Sequence, residues 1–391
     1  RKELLAALFY LAALLAYQSY RSSGKLAWYC LLLILYLLGL TSKAMVLTLP
    51  LAILLIEAWP YDGKNGSLGS WKLILLFVPV LPCAVLAYSS QASGGALTAM
   101  GDLTLFCRVK NAVVSYAHYL SDFIHPSNLA CLYPHPTKGI PPWQFVLSAG
   151  LLFFVSYFCY LLWIRRTFYP TVGWLWFLLA MLPVLGLIQF GVHARADRFT
   201  YIPAIAISTL LSELFRDRFD LQRFRFPAVL LFSIYLSFLL FLTHRQVKVW
   251  RNSPSLYQHA LASTKDNWLI HNNMGVYLMD SGNYSEASKH FRRALEIRPG
   301  FLEAMNNLAT VHGKMGKPKE AESLYNSLLE RSENFAPAHF QMGLASSEKG
   351  ELDKALYHFE KAIEARSGFA EAYNNLGLVL RRLGRIREAR S

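Results

Sequence analysis

The chain has 391 residues, 54% of them hydrophobic and 16% charged, with a formal charge of +14 and a mean hydropathy of +0.28. The charge does not mark a nucleic-acid partner: many of the Lys and Arg residues sit in short loops between apolar runs, where membrane topology accounts for them, and no stretch interleaves basic and aromatic residues on a soluble face. No Cys/His spacing matches a zinc site, so no metal is expected from motif spacing.

In chain order, the sequence opens on "RKELLAALFY", without Met or a signal-peptide n-region, and closes on "GRIREARS", inside a repeat. A piece of a longer protein is the expectation. Long apolar runs dominate to about residue 245, and a polar, helical pattern follows. The expected domains are a membrane domain over 1–244, a linker and half-repeat over 245–267, and a repeat domain over 268–391. A helix of roughly 20 apolar residues crosses a bilayer. That length predicts eight spans, near 3–20, 26–42, 44–59, 73–92, 143–164, 171–192, 199–215 and 226–244.

Alternate loops then differ in basic residues. Arg21, Lys25, Lys64, Lys72, Arg165, Arg166, Arg216, Arg218, Arg223 and Arg225 form the denser set, which belongs in the cytoplasm. Lys43, Arg108, Lys110, Lys138, Arg195, Arg198 and the repeat domain fall on the outer face. Within the long outer loop, "LFCRVKNAVVSYAHYLSDFI" (105–124) predicts an amphipathic helix. Phe106, Val109, Val113, Tyr116, Leu120 and Phe123 make its apolar stripe, whereas Arg108, Lys110, Asn111, Ser115 and Asp122 take other faces. Such a helix either lies in the membrane interface or caps the bundle. Cys107 and Cys131 share this loop and are a candidate disulfide, whereas Cys30, Cys83 and Cys159 lie in apolar segments as packing residues.

From residue 268 the sequence repeats with a period of 34. Met274-Gly275, Leu308-Ala309, Met342-Gly343 and Leu376-Gly377 recur at that step, as do Ala287, Ala321, Ala355 and Ala389, and Phe291, Tyr325 and Phe359. Small residues let two helices cross closely, and an aromatic fills the gap between them. The pattern resembles the tetratricopeptide repeat, with three full copies and a truncated fourth, and predicts a solenoid that binds a peptide or protein. Just before each small pair stands a carboxamide: Asn273, Asn307, Gln341 and Asn375. A carboxamide matches both groups of a peptide bond, so this ladder could hold an extended acceptor chain. The asparagine-lined superhelix of the nucleocytoplasmic O-GlcNAc transferase looks similar. Hydrogen bonding between repeats is the other reading.

Five stretches are together distinctive: "RKELLAALFYLAALLAY" (1–17), "LTSKAMVLTLPLAILLIEAWP" (40–60), "SYAHYLSDFIHPSNLACLYPHP" (115–136), "VGWLWFLLAMLPVLGLIQFG" (172–191) and "ADRFTYIP" (196–203). Joined to the repeats, they resemble the bacterial relatives of the transmembrane and tetratricopeptide-repeat-containing O-mannosyltransferases. The resemblance implies an all-α chain: a polytopic bundle of the GT-C glycosyltransferase class, followed by an α-solenoid. It implies an enzyme that moves a sugar from a polyprenyl-phosphate donor on the outer or lumenal membrane face. The location implied is a bacterial inner membrane with periplasmic repeats, or an endoplasmic-reticulum membrane with lumenal ones. The catalytic carboxylate of that class lies in an outer loop that would precede residue 1, so this stretch alone is expected to be inactive. No divalent metal requirement follows.

One short segment gives the resemblance a chemistry. "HARADRFTYIP" (193–203) sets four titratable or charged side chains between two apolar runs. A departing sugar leaves a phosphate anion, and a guanidinium fork can donate two hydrogen bonds to it at once. The expected donor-phosphate residues are Arg198 and Arg195, with Asp197 orienting one of them, His193 touching phosphate or sugar, and Lys43 adding a point charge. The competing reading is a salt-bridge cluster at the membrane edge. The non-enzymatic alternative is a membrane-anchored repeat scaffold, and a further one keeps the sugar transfer with a lipid or glycan acceptor.

Overall fold

The computed structural model describes residues 2–58, 70–93, 104–136, 139–187, 193–218 and 225–390. The chain divides into two compact units, Arg1–Val249 and Trp250–Ser391.

In the first unit, α1 (Lys2–Ser23) and α2 (Leu26–Ser42) form an antiparallel hairpin. Gly24 makes the turn at φ +67°, a conformation that only glycine adopts at no steric cost. A 3-10 turn, Ala44–Thr48, leads into α3 (Leu49–Ala58). Next come α4 (Ser70–Phe77), α5 (Val80–Ser93) and α6 (Leu105–Ile124), then strand β1 (Tyr133–Pro134), α7 (Pro142–Ile164) and α8 (Tyr169–Met181). A second strand, β2 (His193–Arg195), precedes α9 (Tyr201–Arg218) and α10 (Arg225–Val249). The strands pair antiparallel, Tyr133 opposite Arg195 and Pro134 opposite His193.

Tyr10, Leu32, Tyr36, Leu49, Ile53, Phe177 and Met181 are buried in one core built by α1, α2, α3 and α8. Across this core the Trp176 Nε1–H donates to the Tyr10 hydroxyl at 3.1 Å. Outside the core, α7 and α10 present Phe153, Phe154, Leu231 and Phe232 outward. Such an outward apolar belt is suited to contact with hydrocarbon.

The described helices correct the expected span count. Four are long and apolar enough to cross a membrane: Lys2–Ser23, Trp71–Ser90 (which joins α4 and α5), Pro142–Ile164 and Val229–Val249. The other four of the eight expected spans fall short. At 1.5 Å per residue, the 17 residues of α2 reach about 26 Å against a core of about 30 Å. The segment Ala44–Ala58 is shorter still. The apolar run at 171–192 does not stay one helix, because α8 ends at Met181 and tightens to a 3-10 turn over Leu182–Val184. Finally, α9 carries Glu213, Arg216, Asp217 and Arg218 within its 18 residues.

The helix expected at 105–124 is α6, capped by Thr104, whose hydroxyl accepts from the Cys107 N–H at 3.4 Å. Its faces differ from the stripe read in sequence. Asn111 and Ser115 are buried, whereas Leu105, Phe106 and Val109 are exposed in its first turns. All five cysteines are free thiols, so Cys107 and Cys131 are not bridged.

In the second unit, α11 (Ser253–Ser263) precedes paired helices: α12 (Trp268–Asp280) with α13 (Tyr284–Ile297), α14 (Leu302–Lys314) with α15 (Pro318–Arg331), α16 (Ala336–Glu348) with α17 (Leu352–Ala365), and then α18 (Ala370–Arg382). Gly282, Gly316 and Gly350 end the first helix of each pair, and Gly384 ends α18, at φ +74 to +81°, satisfying the last carbonyls by a left-handed cap. The repeated aromatics fill the helix crossings as the spacing requires. Phe291 and Phe359 are fully buried, and Gly275 and Gly343 face their rings so closely that a Cβ would sit 2.6 and 2.7 Å from them.

Candidate functional site

The 193–200 segment is held in place by α6 and by the chain that follows it. Tyr119, fully buried on α6, accepts the Ala196 N–H at 3.0 Å and lies 3.2 Å from the Ala196 carbonyl, to which its hydroxyl donates. About two turns earlier on the same helix, Asn111 donates to the Ala194 carbonyl at 3.1 Å. Side chains from α6 thus satisfy backbone groups that a short buried connection would otherwise leave unpaired. This explains why Asn111 turns inward instead of facing solvent.

Arg195 emerges from β2 into an ion pair. Its Nη1 donates to Asp122 Oδ2 at 2.7 Å, with only 15% and 18% of the two side chains exposed. The guanidinium also lies 3.9 Å from the centre of the Tyr133 ring, a stacked cation–π contact. The Tyr133 hydroxyl donates to Asp197 Oδ2 at 3.0 Å and accepts the Ala130 N–H at 2.9 Å. Burial pushes the Asp197 carboxyl up to about 6, and the nearby Arg195 charge and Tyr133 hydrogen bond act in the opposite direction. Arg195, Asp122, Tyr133 and Asp197 therefore form one internal network, and its arginine is already paired.

Arg198 and Lys43 meet elsewhere, on Glu3. Lys43 Nζ lies 3.0 Å from Glu3 Oε1, and Arg198 Nε lies 3.3 Å from the same oxygen. Both cations also flank the buried Phe199 ring, each 5.4 Å from its centre. The hairpin of α1 and α2 makes this meeting possible, because the start of α1 and the end of α2 lie at the same end of the antiparallel pair. Glu3 is 15% exposed, Lys43 31% and Arg198 44%. Two positive charges share one carboxylate, so the cluster keeps a net positive charge, and Arg198 is its most accessible member. At the opposite end of the hairpin Lys72 donates to the Tyr20 hydroxyl and lies over the Tyr20, Tyr29 and Trp71 rings.

Four of the five expected donor residues therefore fall into two groups. Lys43 and Arg198 converge directly; Arg195 and Asp197 sit together through Tyr133. His193 is placed by its backbone pairing with Pro134, and its side chain lies outside the described residues, as does Lys138. Sequence reasoning missed Glu3 as the organising anion. A lone carboxylate in the first turn of an apolar helix was the available signal.

In the second unit, Asn273, Asn307, Gln341 and Asn375 recur on α12, α14, α16 and α18, each partly exposed. Asn307 donates to Asn272 Oδ1 in the preceding pair at 3.0 Å, and Asn375 donates to the Glu371 carbonyl of its own helix at 2.8 Å. Asn272 is buried and did not stand out in the repeat pattern.

Residues 269–334 match the tetratricopeptide repeat family and residues 343–384 match a TPR repeat family, so the second unit is an array of helical repeats of that class. The chain is similar to proteins with a named activity. Human Protein O-mannosyl-transferase TMTC1 is 28% identical over 142 residues, 36% of this chain and 16% of that protein. Drosophila melanogaster Protein O-mannosyl-transferase Tmtc3 is 26% identical over 162 residues, 41% and 17%. Mouse Protein O-mannosyl-transferase TMTC3 is 26% identical over 212 residues, 51% and 22%. The chain spans less than a quarter of the length of each of these. Among solved structures, MamA has a TM-score of 0.32 at 23% identity, covering 38% of this chain and 86% of that one. The first TPR of Spaghetti (RPAP3) bound to an HSP90 peptide has a TM-score of 0.29 at 22% identity, covering 30% and 96%.

Proposed function

We propose that the chain is part of a membrane glycosyltransferase of the O-mannosyltransferase kind. In this reading it takes a sugar from a polyprenyl-phosphate donor on the outer or lumenal face, and the repeat unit recruits a protein acceptor. The observation that carries the reading is the convergence of Lys43 and Arg198, far apart in sequence, on one carboxylate at one end of the apolar helices. A net-positive, partly exposed cluster at that position suits the phosphate that a lipid donor leaves behind. Similarity to the O-mannosyl-transferases supports the sugar, and the repeats support a protein acceptor.

Two arginines separate this reading from a structural cluster. Arg198 engages Glu3 through Nε, and a fork geometry at the terminal nitrogens is what a phosphate uses. Arg198→Lys keeps the charge and loses the fork. A hydrogen bond to a charged group is worth about 1.5–3 kcal/mol, so donor affinity should fall about ten- to hundredfold while thermal stability holds. Arg195→Lys breaks the pairing with Asp122 and the stack on Tyr133, so it should lower stability and leave donor affinity near normal. Both are measured on the intact protein in detergent, with polyprenyl-phosphate mannose as the ligand. Normal donor binding by Arg198→Lys overturns the site. Absence of any donor binding by the unmutated protein would favour the scaffold.

A further inference from the structure

Two histidine pairs occur at the same place in two different repeats. His271 on α12 faces His290 on α13, Nδ1 to Nδ1, at 3.1 Å. Sixty-eight residues on, two periods of the repeat, His339 on α16 faces His358 on α17 at the same 3.1 Å. The rings lie 5.2 and 5.4 Å apart, tilted by 40° and 37°. In the intervening repeat these positions hold Met305 and Leu324. Three equivalent positions in one chain therefore show two polar versions and one apolar version of the same contact between the first and second helix of a repeat.

The chemistry of the contact is that of a shared proton. A close Nδ1···Nδ1 approach is a hydrogen bond only when one ring carries a proton on Nδ1 and the other presents a lone pair there. In the second pair the roles can be assigned. His339 Nε2 lies 2.8 Å from the Glu333 carbonyl, so that nitrogen carries the proton and donates. The His339 Nδ1 lone pair then accepts from His358 Nδ1–H. A proton on the free Nε2 of His358 leaves that bond in place, and only when both rings are protonated do two N–H groups and two positive charges face each other with no lone pair between them.

Neighbouring carboxylates act on the rings, Glu296 on His271, Glu286 on His290 and Glu364 on His339, and Arg293 opposes at His271, but each carboxylate is held by its own cation. Around the first pair, Glu286 is paired with Lys289 at 2.7 Å and Glu296 with Arg293 at 2.8 Å. Around the second, Glu364 is paired with Lys361 at 2.7 Å and Glu351 with Lys354 at 2.8 Å, and the Lys354 charge itself acts on His358. The Tyr357 ring meets His358 edge-on, 5.2 Å away. Among the described residues no group of three His, Cys, Asp or Glu forms a metal set. The middle repeat differs in kind: His312 there faces a carboxylate, Glu320, Nδ1 to Oε2 at 2.6 Å.

We propose that the two histidine pairs are acid-sensitive latches, closing the first and third repeats at neutral pH and releasing them when the solution is acidified, while the second repeat stays closed. Burial holds the His271 ring down to about 4 and lowers His290 and His358 as well. A histidine whose folded value lies below its unfolded one contributes stability that is complete above the unfolded value and is lost as pH falls through it. The window therefore opens below about pH 6.5. For a ring at about 4, linkage gives roughly a tenfold to thirtyfold loss in the closing equilibrium at pH 5 relative to pH 7.5.

The test follows amide hydrogen exchange by mass spectrometry on the full chain in detergent at pH 7.5 and pH 5, corrected for the intrinsic pH dependence of exchange. Protection in α12–α13 and α16–α17 should fall about tenfold or more on acidification, with α14–α15 little changed. The variant His271→Met, His290→Leu, His339→Met, His358→Leu installs the apolar contact that the middle repeat already uses, so it keeps the fold. Its first and third repeats should lose the pH response. An equal loss of protection in α14–α15, or an undiminished response in the variant, overturns the proposal.

Discussion

Replacing Gly343 by alanine puts the helix-crossing logic of the repeats under a direct test. Ordinarily Gly→Ala inside a helix stabilises by about 1 kcal/mol, because alanine has less backbone freedom to lose. Here an added Cβ would lie 2.7, 2.8 and 3.0 Å from Cε1, Cδ1 and Cζ of Phe359. That ring is fully buried, so it cannot swing into solvent. Overpacking of this kind costs about 1–3 kcal/mol, and the net effect should lie between neutral and about 2 kcal/mol destabilising. Gly377 holds the same repeat position, but the nearest atom to its Cβ is the Ala389 carbonyl oxygen at 3.8 Å. There the helix gain should survive intact. The two variants should therefore differ by about 1–3 kcal/mol, or about 4–12 °C in Tm for a unit of this size. Circular-dichroism melts of residues 250–391 measure the difference, and require that this unit folds alone with a helical spectrum. If Gly343→Ala raises Tm as much as Gly377→Ala does, the close-crossing explanation is wrong.

Asp197→Asn should raise stability at pH 7.5 and leave it nearly unchanged at pH 4. The folded carboxyl titrates near 6, so between about 4 and about 6 the folded state holds more protons, and ionisation costs stability as pH rises. The gain at pH 7.5 should be about 1–3 kcal/mol, taken as a ceiling because solvent screens a partly exposed group; a destabilised variant there refutes the burial argument. A reporter that works only outside the cytoplasm should be active when fused after Ser391, and activity of a cytoplasm-only reporter would reverse the topology. Removing Asn273, Asn307 and Asn375 together should weaken acceptor binding by very roughly 10- to 1000-fold, at about 0.5–1.5 kcal/mol per hydrogen bond. Unchanged acceptor glycosylation in that triple alanine variant would leave these residues as structure only.

The 34-residue period determined the repeat unit from sequence alone. Gly275, Ala287 and Phe291 meet because each repeat solves one local packing problem, and a local problem leaves its whole solution within a few dozen residues. Hydropathy likewise marked the apolar helices, since burial in lipid depends on composition and length. Counting the spans was beyond it: the run at 171–192 reads as continuous, but its helix stops at Met181 and tightens around Pro183, where the missing proline N–H removes a helical hydrogen bond. The histidine pairs were hidden because 19 residues and a turn separate partners that only helix pairing brings to 3.1 Å. The charged cluster was half legible. Composition picked out Arg195, Asp197 and Arg198, but charge has no direction in sequence. Tertiary structure alone gave Arg195 to Asp122 and brought Arg198 and Lys43 to Glu3, because an ion pair is chosen by distance in space, and the hairpin of α1 and α2 sets that distance.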